Sequence, residues 1–175
     1  VRGAAAQWSS ADLAERAQHL NELLCSRTAG NRYVTLFWGA VDTASQKLRY
    51  VNAGHVPPLL ARRCADGAVE VERLEAGGPV LGLLPDAPLL AGETHFGDGD
   101  LLIAFSDGLS EATNATDEEY GSTRVAEAVS TNLGRPPADI LARILESVSA
   151  FRGSEPLHDD LSLMVVRAGP AAAGS

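Results

Sequence analysis

The sequence is short of positive charge. Its 14 lysines and arginines stand against 23 aspartates and glutamates, a formal net charge of −9, and the cationic residues form no cluster. A nucleic-acid surface needs a Lys/Arg stripe to replace counterions along the phosphates, so that class of partner is excluded, whereas divalent cations are not. Cysteine is scarce too. Cys25 and Cys64 are far apart and in no metal-ligand spacing, which leaves no zinc motif and no disulfide framework and points to reduced thiols in a cytoplasmic protein. No apolar run approaches the ~20 residues that cross a bilayer, and no signal peptide opens the chain. The glycine-rich strand-to-helix loop of Rossmann and P-loop nucleotide folds is missing. So is the Gly-x-Ser-x-Gly elbow, which argues against Ser106 as a hydrolase nucleophile. No internal repeat is visible.

What is present is an ordinary globular composition, 45% apolar and 21% charged over 175 residues, enough for one domain with its own core. Residues 10–26 have a helix signature: Ser9 or Ser10 as cap, Asp12 in the first turn, and Leu13, Ala17, Leu20 and Leu24 at helical spacing. The pattern then turns to β-branched and aromatic residues. Strands are predicted over 33–41, 47–53, 57–63, 68–74, 89–96 and 101–105, with turns at 43–46, at Cys64–Gly67 and at 97–100. Residues 76–88, rich in glycine and proline, read as an irregular loop. A short helix is predicted near 123–131 and a stronger one over 137–151, started by Pro136 and Pro137, with Ile140, Ile144, Leu145, Val148 and Phe151 on one face. The last element is a strand over 160–167, and 168–175 reads as a disordered tail after a domain of residues 1–167. Consecutive strands joined by short turns are antiparallel, so the class is α+β rather than alternating βαβ.

Two places carry candidate chemistry. The apolar strand 101–105 runs directly into Ser106, Asp107 and Gly108, and Asp159 and Asp160 open the last strand. If those strands are antiparallel neighbours, the end of one lies beside the start of the other, and Asp107 and Asp159 face a common point. Two such carboxylates repel unless a cation lies between them. Hard oxygen donors favour Mg2+ or Mn2+ over zinc. Gly108 lets a ligand or water approach the backbone. A solvated turn at each end is the plain alternative. The second place is Gly54 and His55 ahead of two prolines, where a histidine is read as a structural hydrogen-bonder in a fixed loop.

Four segments taken together, 33–60, 74–87, 97–115 and 158–167, resemble the successive motifs of SpoIIE/RsbU-type bacterial serine/threonine phosphatases of the metal-dependent PPM superfamily. The likeness runs from Ser9 to Arg167 in the right order. It implies an α-β-β-α sandwich of antiparallel sheets and two Mn2+ or Mg2+ ions in a cleft at the sheet ends. A water bridging them would attack a phosphoserine or phosphothreonine. It further implies metal ligation by Asp107 and Asp159. Asp160 and Gly108 would stand behind them, and Gly54 and His55 would be architectural, with Val56 where the family has proline. Glu111 and Asn114 match without an assigned role. The implied partner is a phosphorylated regulatory protein, an anti-anti-sigma factor, in signal transduction through sigma-factor regulation. Pairing into a homodimer is also implied.

One departure stands out. The family's opening acidic segment and its Gly-Asp-Val-Ser-Gly-Lys-Gly-like motif do not occur in the sequence, which begins at Val1. The chain is therefore expected to lack the first strands and first helix, to leave sheet edges exposed, and to be impaired on its own, its two carboxylates holding one divalent ion rather than two. The alternative is a non-catalytic interaction module that keeps the phosphatase fold.

Overall fold

A computed structural model describes residues 9–27 and 32–170. In chain order the elements are α1 (Ser10–Arg27), β1 (Leu36–Asp42), β2 (Lys47–Ala53), β3 (Leu59–Arg63), β4 (Val69–Arg73), β5 (Gly77–Gly78), β6 (Gly92–His95), β7 (Leu101–Phe105), α2 (Asp107–Ser110), α3 (Gly121–Asn132), α4 (Pro137–Arg152) and β8 (Leu163–Arg167). They form two compact units. The first takes the described residues up to His55 together with Leu74–Gly97, and the second takes Val56–Arg73 and Asp98–Pro170.

In the first unit, Ser9 starts α1. Its hydroxyl accepts from the Asp12 N–H at 3.1 Å, while the Asp12 carboxylate accepts the Ser9 N–H and hydroxyl at 2.9 and 2.7 Å, a reciprocal cap that satisfies otherwise orphaned donors. The predicted helical face is realised: Leu13 and Ala17 are buried, and Leu20 and Leu24 pack partly buried beside Val51, Ala53, Leu81 and Leu89. Asn21 is buried on the same face. Its amide donates to the carbonyls of Leu84 and Pro85 at 2.8 and 3.3 Å, and its oxygen accepts the Gly82 N–H at 2.9 Å. These bonds meet the cost of burying an amide and tie the 82–85 loop to the helix.

β1 and β2 pair antiparallel from Leu36↔Ala53 to Asp42↔Lys47. The Asp42 carboxylate closes their turn by accepting from the N–H groups of Ala44 and Ser45. The other edge of β2 is shared, with β6 antiparallel along Lys47–Tyr50 and β5 parallel at Asn52 and Ala53. The 76–88 segment is therefore not wholly irregular: it contains β5 and a bridge between Val34 and Leu81. Gly77 makes this pairing close, since a Cβ there would lie 1.7 Å from the Asn52 carbonyl oxygen.

β6 is also held by charge. Glu93 accepts from Lys47 and, at 2.7 Å, from Arg49 Nε. The Lys47 hydrogen bond, with a further contribution from Arg49, holds the Glu93 carboxyl below its ordinary range. A depressed carboxyl adds stability above its unfolded value and loses it as pH falls through the lowered folded value. Thermal melts of wild type and Glu93→Gln are expected to differ near neutrality and to converge only once the pH has fallen below the lowered folded value of that carboxyl.

The second unit has a sheet in the order β4-β3-β7-β8, antiparallel throughout. Leu101, Leu102, Ile103 and Phe105 are buried on β7, which accounts for its unbroken apolar run. One face of the sheet packs with Leu109, Tyr120, Val125, Val129, Ile140, Ile144 and Val148 from α2, α3, α4 and the loop before α3. Leu145, expected on the apolar face of α4, is exposed instead. Phe151 packs edge-on to Tyr120 with ring centroids 5.4 Å apart. Arg167 on β8 donates to the Leu133 carbonyl at 2.7 Å and to that of Arg135, placing a cation at the negative end of α3.

Two further boundaries differ from the sequence reading. The Asp-Gly after β7 opens the short helix α2 rather than forming only a solvated turn, with the Glu111 N–H reaching the Asp107 carbonyl at 2.7 Å. The last strand begins at Leu163 rather than Asp160. The reason is local: the Ser162 N–H goes to the Ser106 hydroxyl at 2.9 Å instead of to a ladder carbonyl. Of the expected tail, 171–175 lie outside the described residues, while Ala168 exchanges hydrogen bonds with Gly99 and Asp100 at 3.0 and 2.9 Å. Cys25 and Cys64 are free thiols. No helix among the described residues is long and apolar enough to cross a membrane.

Candidate functional site

The β7–β8 register ends at Phe105↔Leu163. Beyond it the Ser106 N–H still donates to the Ser162 carbonyl at 3.0 Å, so the chain enters α2 alongside the stretch that leads into β8. Gly108 measures how close the two segments are. A Cβ on it would meet the Asp160 carbonyl oxygen at 2.5 Å, the Asp160 carbonyl carbon at 3.0 Å and the Asp159 carbonyl carbon at 3.2 Å. Gly108 is buried against that backbone, whereas Asp107, Asp159 and Asp160 are exposed. Asp107, Gly108, Asp159 and Asp160 are thus brought to one place by antiparallel pairing.

Each candidate carboxylate is steadied by one local bond. Asp107 Oδ1 accepts the Gly108 N–H at 3.0 Å, and Asp159 Oδ1 accepts the Asp160 N–H at 2.7 Å. The second oxygen of each has no hydrogen-bond or ion-pair partner among the described residues. Leu157, His158, Asp159, Asp160 and Leu161 line an open depression of about 360 Å³. Unpaired carboxylate oxygens, with no lysine or arginine bonded to them, suit a hard divalent cation. Among the described residues no group of three or more His, Cys, Asp or Glu side chains gathers around one point.

Gly54 and His55 belong to the first unit. Gly54 adopts φ +68° and a Cβ there would meet Val80 Cγ1 at 2.4 Å, so the loop requires glycine. The His55 N–H donates to Asn52 Oδ1 at 2.9 Å, and the Asn52 amide reaches the Leu74 carbonyl at 3.2 Å. Buried Asn52 organises this loop, and nothing in the local sequence pattern marks it. Asn114 also acquires a role. Its Oδ1 accepts the N–H groups of Thr116 and Glu118 and the Thr116 hydroxyl. An Asn two residues before a Thr is a readable signal for such a turn. Glu111 contributes its backbone N–H to the Asp107 carbonyl.

Residues 1–169 match the family described as Stage II sporulation protein E (SpoIIE). Protein IcfG of Synechocystis is 28% identical over 134 residues, covering 77% of this chain and 20% of that protein. Phosphoserine phosphatase RsbU of Bacillus subtilis is 24% identical over 153 residues, covering 86% of this chain and 43% of that protein. The chain therefore spans less than half the length of these curated relatives. Among solved structures, the RsbU and RsbW domains of Rv1364c from Mycobacterium tuberculosis align with a TM-score of 0.72 at 22% identity, over 95% of this chain and 44% of that one. The Mn-presoaked phosphatase domain of Bacillus subtilis SpoIIE aligns with a TM-score of 0.67 at 21% identity, over 99% and 81% of the two chains. The PPM Ser-Thr phosphatase MsPP of Mycobacterium smegmatis aligns at 0.63 with 21% identity, over 94% and 76%. This chain therefore belongs to the SpoIIE family and has the mixed α+β fold, with antiparallel sheets, of the PPM phosphatases.

Proposed function

We propose that this chain is part of a protein phosphatase that hydrolyses phosphoserine or phosphothreonine on a regulatory protein, an anti-anti-sigma factor being the partner class that the family resemblance implies. One observation supports this above the others. Gly108 lies against the Asp159–Asp160 peptide, so Asp107 and Asp159 flank the junction with one unpaired oxygen each.

Asp107 and Asp159 would hold Mn2+ or Mg2+. When bound, such a cation supplies charge neutralisation at the phosphoryl oxygens and acidifies an attacking water. The Gly108 N–H and the Asp160 N–H orient the two carboxylates by engaging Oδ1 of each, which leaves Oδ2 as the donor. Asp160 is exposed beside Asp159. The absence of a side chain at Gly108 serves the packing of the two segments rather than the approach of a ligand expected from the sequence: the Asp160 carbonyl occupies the space that a Cβ would take. Two carboxylates fit one hard cation by chemistry, and a second cation requires ligands beyond this described pair.

The test is phosphate release from p-nitrophenyl phosphate and from a phosphoserine protein with Mn2+, before and after chelation. Release is expected to fall to background with chelator and to return on adding Mn2+. Turnover indifferent to chelation overturns the reading. A second reading, a non-catalytic interaction module, is favoured by the small donor set. A folded chain that gives no heat on Mn2+ titration and no turnover would support it.

A further inference from the structure

Ser106 stands in the Asp-Gly motif, yet the reaction as proposed leaves it without work. Its hydroxyl is fully engaged. Oγ donates to the Asp160 carbonyl at 3.0 Å and accepts the Ser162 N–H at 2.9 Å, while the Ser106 N–H donates to the Ser162 carbonyl at 3.0 Å. A hydroxyl with both its proton and a lone pair committed in this way is a brace rather than a nucleophile.

The position of the brace gives it significance. From Leu163 onward, β8 is held to β7 by the ladder. The stretch before it, from Leu157 to Ser162, forms no strand or helix and is mostly exposed. Two of the three bonds use the side chain, and all three attach at Asp160 and Ser162, next to Asp159. Asp107 follows Ser106 directly in the chain. One residue therefore links the two backbone segments from which the candidate ligands project.

We propose that Ser106 is a positioning residue that fixes the separation of the Asp107 and Asp159 carboxylates and so sets the affinity of the site for a divalent cation. This rests on the reading of that site given above. A ligand on an untethered segment must be ordered at the moment of binding, and groups that orient metal ligands are typically worth ten- to a hundredfold in affinity. Alanine removes both side-chain bonds, whereas threonine retains the hydroxyl.

The experiment is Mn2+ titration calorimetry on the full chain as wild type, Ser106→Ala, Ser106→Thr and a control, Ser147→Ala, together with amide hydrogen exchange at Ser162. Ser147 accepts the Tyr120 hydroxyl at 2.8 Å in the helical layer, so the control removes a hydrogen bond elsewhere. Ser106→Ala is expected to weaken Mn2+ binding by about ten- to a hundredfold and to speed exchange at Ser162. Ser106→Thr and Ser147→Ala should stay close to wild type. Unchanged affinity in Ser106→Ala, or an equal loss in Ser147→Ala or Ser106→Thr, overturns the proposal. If wild type itself binds no Mn2+, the metal-site reading fails. Exchange at Ser162 then decides the brace alone, and unchanged exchange in Ser106→Ala removes that as well.

Discussion

Replacing Asp107 by asparagine is expected to lower Mn2+-dependent phosphate release about a thousandfold, ~4 kcal/mol in the barrier. Asparagine has nearly the same shape as aspartate and keeps an oxygen for the Gly108 N–H, which among the described residues is the bond that Asp107 Oδ1 makes. The charge on the outward oxygen is lost, and with it most of the attraction for a hard dication. The side chain is exposed, so little desolvation is at stake and the fold should not respond. Measurement of kcat/KM beside a thermal melt separates the two effects. A large fall in rate with a melting temperature near wild type is the expected pair. Wild-type activity in Asp107→Asn would remove the carboxylate pair from the chemistry altogether.

The largest expected effect on stability is at Gly77. A Cβ there would fall 1.7 Å from the Asn52 carbonyl oxygen, 2.4 Å from its carbon and 2.6 Å from the Asn52 nitrogen. All three are backbone atoms of β2, so no side chain can swing away. Gly77→Ala must therefore push β5 off the sheet. That strains three bonds: Asn52 N–H to the Ala76 carbonyl at 2.8 Å, Gly54 N–H to the Gly78 carbonyl at 3.0 Å, and Leu90 N–H to the Gly77 carbonyl at 3.0 Å. At about 1 kcal/mol per lost bond, before any strain, the cost is about 3 kcal/mol or more. Denaturant unfolding measures it. Gly134→Ala, where an added Cβ meets nothing within 4 Å, is the matched control and should be near neutral. A Gly77→Ala protein as stable as wild type would mean that β5 does not pair as described.

The elements that could be read beforehand are those whose pattern is local. Leu13, Ala17, Leu20 and Leu24 recur at helical spacing and pack in one cluster with β2. The 47–53 strand ends where expected because a polar turn bounds it on one side and Gly54 on the other. Asp107 was conspicuous because a carboxylate directly after an apolar strand asks for a reason. The missed elements depend on distant partners. β5 is two glycines with no period at all, and it is a strand only because Asn52 and Ala53 lie beside it. Asn21 sits on an apolar face because the 82–85 loop brings acceptors to it. Leu145 shares its sequence pattern with Ile144, but only Ile144 turns toward the sheet.

By itself the sequence determined the class of the fold and the order of its main elements, and it marked Asp107 and Asp159 as candidate cation ligands, because side-chain type and periodicity are properties of neighbours along the chain. Tertiary structure alone decided that Gly108 touches the Asp159–Asp160 backbone and that Ser106 ties the two segments together. Those contacts follow from the register of two strands far apart in sequence, and a register is set by which core and which hydrogen bonds close best across the whole sheet.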